Sequence, residues 1–238
     1  MCTVTYLPGP GNSFILTSNR DEKELRRKAQ PPRKFSLKGQ SVFFPKDMEA
    51  GGTWIATGKN HFTLCLLNGG FQKHIPDPPY RVSRGLVLLD FFLYRDAAHF
   101  ASEYDFNRIE PFTLVVLDTS AGLDLVELVW DGKRISATPK DKNLPHIWSS
   151  VTLYENEVIA QRRNWFDNWL KESYRFEMKE IMHFHEFGGT GDKMNDLLMN
   201  RNNEVLTVSI TSIHKSEQGV CMKYKDMTEK KLYSIRII

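Results

Sequence analysis

Of the three cysteines in this 238-residue chain, Cys2, Cys65 and Cys221, the first stands one residue from the start. Removal of Met1 leaves Cys2 carrying a thiol and a free α-amine. An α-amine titrates at about 7.7–8.0 and a thiol at about 8.5, so near neutral pH the amine accepts the thiol proton with little penalty. Nucleophile and base then come in one residue. A second group of reactive side chains is Asn19-Arg20-Asp21-Glu22. A guanidinium beside a thiol favours the thiolate, and a carboxylate beside an α-amine orients it and sets its protonation. Apart from each other, the two groups read more plainly: Cys2 as a small strand residue, Arg20 and Asp21 as a surface ion pair.

The intervening residues bring the two groups together. Cys2 to Leu7 and Ser13 to Thr17 are β-rich and flank the turn Pro8-Gly9-Pro10-Gly11-Asn12, which predicts a hairpin. Stepping outward from Leu7 and Ser13 sets the neighbourhood of Thr17 to Arg20 opposite Cys2, although Arg20 and Asp21, being adjacent, start on opposite faces of their strand. Residues 22 to 40 are charged and broken by Pro31 and Pro32, an expected exposed connection. Strands at Thr53–Thr57 and Phe62–Leu67 flank Gly58-Lys59-Asn60-His61. Ser83 is placed to cap a helix through Leu93, and a shorter helix is expected from Asp96 to Tyr104. Phe112–Leu117, Leu125–Trp130 and Arg134–Thr138 read as strands, the last two joined by Asp131-Gly132-Lys133. Apolar spacing predicts an amphipathic helix over Glu155–Leu170 and another over Phe176–Phe187. The chain then alternates through Val205–Ile213, Val220–Tyr224 and Lys231–Ile237 as a β-meander. Strands, central helices and strands again, with no repeat or linker, predict one α+β domain over residues 1–238.

Composition excludes several classes. With 32 Lys and Arg against 29 Asp and Glu, the net charge is +3, too small for an electrostatic nucleic-acid footprint. The basic run Arg26 to Lys34 has only Phe35 interleaved and reads as a solvated face. An odd, sparse set of cysteines cannot form a disulfide framework. The start of the chain has no basic region followed by an apolar stretch, and the longest apolar run, Gly85 to Tyr94, is about half the ~20 residues of a membrane span. A cytoplasmic protein with no membrane span is therefore expected.

Four segments in order, Met1-Cys2-Thr3, Asn19-Arg20-Asp21-Glu22, Ala50-Gly51-Gly52-Thr53-Trp54-Ile55 and Leu66-Leu67-Asn68, resemble the NRDE family. That family includes the transport and Golgi organisation protein 2 group, and the resemblance spans nearly the whole chain. It implies the N-terminal nucleophile hydrolase architecture, a four-layer αββα sandwich with the first residue of the mature chain at its centre. Cysteine members of that wider fold, the bile-salt hydrolases and penicillin V acylases, cleave linear, non-peptide amides. The resemblance implies Cys2 as nucleophile, Arg20 and Asp21 as its partners and Asn68 as an oxyanion donor, a role that a side-chain amide at a strand end can perform. Asn68 can equally serve the Asn68-Gly69-Gly70 turn. Asn19, Trp54 and Ser150 are the implied substrate-binding residues, with Ser150 standing where those acylases carry a second asparagine. No cofactor is implied, and the expected partner is a small apolar or acyl-amide ligand. The alternative is a ligand-binding or trafficking protein for haem or lipids, without turnover, on the same fold.

The remaining residues read more plainly. His183 and His185 are two apart, a spacing that points them nearly opposite ways on a helix, which disfavours a metal site. Gly188-Gly189-Thr190-Gly191 lacks the ending of a phosphate loop and reads as a mobile connection. Cys65, Trp165 and Trp169 read as core.

Overall fold

A computed structural model describes residues 3–59, 61–173 and 175–237, so Cys2 lies outside the described residues. The chain forms two compact units, one from residues 1–26 and 143–238 and the other from residues 27–142. In chain order the elements begin β1 (Thr3–Pro8), β2 (Phe14–Lys23), β3 (Gln30–Leu37), β4 (Gln40–Lys46), β5 (Ile55–Gly58) and β6 (Phe62–Asn68). Helices α1 (Arg84–Phe91) and α2 (Ala97–Glu103) precede β7 (Phe112–Asp118), β8 (Asp124–Trp130), β9 (Ile135–Pro139) and β10 (His146–Ser149). After α3 (Asn156–Glu172) and α4 (Met178–Phe187) come β11 (Asn200–Arg201), β12 (Val205–Ser216), β13 (Gly219–Asp226) and β14 (Lys231–Ile237).

In the first unit the sheet order is β10-β1-β2-β12-β13-β14, all antiparallel, with β11 paired to β12. Helices α3 and α4 cover one face of it: Phe166, Ile181, Met182 and Phe184 pack on Leu7, Ile15 and Ile210. The alternation of β1 and β2 follows from that packing, because successive strand residues face opposite sides. Trp165 and Trp169 lie against this core, as read from the sequence.

The second unit is a meander, β3 to β9 in order, again antiparallel throughout. Its core sets α1 and α2, through Val87, Leu88, Phe91, Phe92 and Phe100, on Leu64, Leu66, Leu114, Val116 and Leu128. Cys65 is fully buried in mid-strand.

Three expectations need correction. Residues 22 to 40 are not a connection: β2 runs on to Lys23, and β3 fills residues 30–37 as the sheet's edge. The ladder is irregular between Gln30 and Arg33, so Pro31 and Pro32 fall where no regular pairing is lost. Ser83 does occupy the N-cap of α1, but its side chain makes no capping bond. The stretch Gly188 to Gly191 is not a mobile connection. Its Thr190 and Gly191 amides donate to the two Asp196 carboxylate oxygens at 2.8 and 2.9 Å, and a Cβ on Gly189 would lie 2.1 Å from one of those oxygens.

Candidate functional site

Of the candidate residues, Asn19, Arg20, Asp21 and Ser150 lie at one end of β1. Thr3 pairs with Asn19 on β2 and with Ser149 on β10, and Asn19 in turn pairs with Ile210 on β12. One residue further along the three neighbouring strands stand Arg20, Ser150 and Ser209, with Arg20 4 % exposed and Ser150 1 %. Arg20 and Ser150 thus each stand one residue beyond the Thr3 pairs, on the strands either side of β1. Arg20 Nη2 lies 3.5 Å from Glu22 Oε2, whose carboxylate also receives Arg26 at 3.3 Å. Close by on β13 is Tyr224, its phenol pushed up to about 12 mainly by burial, with the Arg20 charge acting in the opposite sense.

Arg20 and Asp21 part company, as their adjacency predicts. Asp21, with Asn19, faces the helices. Thr207 Oγ1 donates to Asp21 Oδ1 at 2.5 Å and Tyr154 donates its hydroxyl to Oδ2. The β12 ladder slips between Thr207 and Ser209, so Thr207 stays opposite Asp21 while Ser209 stands opposite Arg20.

Asn19 is fully buried, and its amide settles the protonation of His185. Asn19 Nδ2 donates to the carbonyls of His185 (3.1 Å) and Leu197 (2.6 Å), which leaves Oδ1 as an acceptor facing His185 Nδ1 at 2.6 Å. Nδ1 therefore carries the proton, and Nε2 accepts from Thr5 Oγ1 at 2.8 Å. Burial, aided by the Arg162 charge, pushes His185 down to about 3. His185 thus serves the polar layer between sheet and helices, and among the described residues no cluster of His, Cys, Asp and Glu could hold a metal ion.

Arg162 is the largest of the fully buried side chains. It donates to Thr3 Oγ1 at 2.5 Å and to the carbonyls of Asn195 and Asp196 at 2.6–3.1 Å, with its guanidinium 3.7 Å from the centre of the Tyr154 ring. Sequence reasoning missed Arg162, Tyr154 and Thr207. Arg162 sat in the apolar register of the α3 prediction, and a cation on a helix's buried stripe is a signal that it has a specific acceptor set.

Asn68 and Trp54 belong to the second unit. Asn68 ends β6 opposite Phe112, half-buried, and Gly69 after it turns with φ 90° while its amide bonds to Pro111. Trp54 is 3 % exposed; of the two glycines before Thr53, Gly51 takes φ 75° and Gly52 serves packing. A Cβ on Gly52 would lie 2.3 Å from the Gly85 carbonyl carbon, and the Thr53 amide donates to Gly85 O, so the Gly51-Gly52-Thr53-Trp54 segment receives the first turn of α1 backbone to backbone.

The family model described as Transport and Golgi organisation 2 matches residues 1–235. The chain belongs to that family. By sequence, no curated protein matches it. Solved structures resemble this member of the family over nearly its whole length. A variant of the conjugated bile acid hydrolase from Clostridium perfringens aligns with TM-score 0.63 and 11% identity, over 99% of this chain and 92% of its own. Penicillin V acylase from Agrobacterium tumefaciens gives 0.56 and 11%, over 99% and 86%. The Caenorhabditis elegans orthologue of N-acylethanolamine-hydrolyzing acid amidase gives 0.52 and 15%, over 89% and 92%. At these identities the likeness shows the fold, an α+β fold of the N-terminal nucleophile hydrolase type with two antiparallel sheets. No helix among the described residues is long and apolar enough to cross a membrane.

Proposed function

We propose that this Transport and Golgi organisation 2 family member hydrolyses a linear, non-peptide amide through an acyl-enzyme at Cys2. The observation that carries the reading is the flanking of position 2: Arg20 and Ser150, both buried, each stand one residue beyond the Thr3 pairs on the two neighbouring strands. The neighbouring structures are named as a hydrolase, an acylase and an acid amidase, which favours amide cleavage as the reaction on this fold.

The steps balance on the chain's own groups. With Met1 removed, the Cys2 α-amine takes the thiol proton and the sulfur attacks the amide carbonyl carbon. The Arg20 cation favours the thiolate, and the α-ammonium is steadied by the Asp21 carboxylate. The oxyanion is met by the Ser150 hydroxyl. Collapse expels the amine, which receives the proton from the α-ammonium, and leaves a thioester. Water, deprotonated by the α-amine, then attacks the thioester and releases the acid and the free thiol. The substrate's acyl part is apolar in this reading.

Intact-mass measurement of the purified protein, followed by reaction with an acyl-amide panel, tests the proposal. Loss of Met1, a thioester adduct on Cys2 and loss of hydrolysis in Cys2→Ser are expected. A retained Met1, or hydrolysis unchanged in Cys2→Ser, overturns it. Tight binding of an apolar ligand with no adduct and no turnover would favour the ligand-binding alternative instead.

A further inference from the structure

The strand end that follows the nucleophile position is held from behind by one short loop. Residues 195, 196 and 197 present three consecutive carbonyls. The first two accept from Arg162, whose remaining Nη donates to Thr3, and the third accepts from Asn19, the residue paired with Thr3. The loop is itself fixed by the Asp196 carboxylate on the Thr190 and Gly191 amides and by the Leu197 amide on Gly188 O. Strand ends fray unless tied down, and here both members of the Thr3–Asn19 pair are tied to the same three peptides. Thr3 and Asn19 have no exposed surface, and neither has Arg162. Consecutive Cα atoms stand about 3.8 Å apart, so the place of Thr3 bounds where the residue before it can lie.

We propose that Arg162 is a positioning residue for the nucleophile: through Thr3 Oγ1, and braced on the Asn195 and Asp196 carbonyls, it fixes the strand end that carries Cys2. The inference rests on Cys2 as nucleophile and adds a group that touches neither substrate nor thiol. Guanidinium geometry is what the role requires. The fork donates in three directions at once, to a hydroxyl on one strand and to two carbonyls on a loop, which a lysine ammonium on a flexible stem does not reproduce.

The test measures alkylation of Cys2 by iodoacetamide, followed by intact mass, in the wild type, Thr3→Val, Thr3→Ser and Arg162→Lys, with melting temperatures as the control for folding. Thr3→Val keeps the side-chain shape and removes the acceptor, while Thr3→Ser keeps the acceptor. Misplacement of a reacting group by about 1 Å costs on the order of 100-fold. Thr3→Val and Arg162→Lys are expected to slow alkylation at least tenfold (roughly the lower bound of that effect), and Thr3→Ser to retain the wild-type rate. Once a substrate is in hand, kcat falls in the two slowed variants while KM holds. Wild-type alkylation rates in folded Thr3→Val and Arg162→Lys overturn the positioning role and leave the nucleophile standing. A wild-type Cys2 that reacts no faster than Cys221 in the same molecule overturns the nucleophile reading and the positioning role with it.

Discussion

Acidification should destabilise this protein through one histidine. His185 is fully buried and neutral, Nδ1 donating to Asn19 and Nε2 accepting from Thr5. Its folded value of about 3 lies below the 6.5 of an exposed histidine. Below 6.5 the unfolded chain binds a proton that the folded chain refuses, so stability is complete above 6.5 and is lost as pH falls toward 3. At pH 5, 1.5 units below the unfolded value, the loss works out at about 2 kcal/mol, and the ceiling, 3.5 units at about 1.36 kcal/mol each, is about 5 kcal/mol. Urea unfolding of the wild type and of His185→Gln at pH 7.5 and 5.0 isolates this contribution. Carboxylates and the half-buried His214 titrate in both proteins and cancel in the difference. The glutamine variant is less stable than the wild type at pH 7.5, and the gap should narrow by about 2 kcal/mol at pH 5.0. A gap that does not change with pH refutes the assignment of His185 as a buried neutral group.

Gly52→Ala should cost about 3 kcal/mol or prevent folding, measured by chemical denaturation, because the added carbon meets the Gly85 backbone rather than a side chain that could swing away. Tyr154→Phe should lower stability by about 1.5–3 kcal/mol, since it keeps the ring under Arg162 but strips the Asp21 carboxylate of a buried donor; the same unfolding experiment reads it, and a loss below about 0.5 kcal/mol would contradict the hydrogen bond.

Short-range signals carried much of this fold. The β1–β2 hairpin is legible because Pro8-Gly9-Pro10-Gly11-Asn12 separates two β-rich runs, but its register lies two residues from a count begun at Leu7 and Ser13, since Leu7 pairs with Ile15 and Pro8 with Phe14. The α3 and α4 helices were visible in apolar spacing, although α4 begins at Met178 rather than Phe176. Strand β3 was hidden because an edge strand needs few apolar residues: Arg33 and Lys34 are exposed, and Phe35 holds the strand by stacking on Phe44 at 4.1 Å. The loop at Gly188 looked mobile from its glycines alone, and Asp196, five residues beyond Gly191, gives it its shape.

Sequence alone named the candidates Cys2, Arg20, Asp21 and Asn68 and determined the strand that carries Arg20 and Asp21, since a tight turn and β-rich runs are encoded within a dozen neighbouring residues. It also determined that Arg20 and Asp21 face apart. Only the tertiary structure decided what each face meets: Tyr154 and Thr207 for Asp21, His185 and Leu197 for Asn19, and Arg162 for Thr3, partners between 133 and 186 residues away in the chain. The physical reason is burial. A polar group taken out of water must find a partner wherever packing supplies one, and packing between sheet and helices joins residues whose separation in sequence carries no local signal.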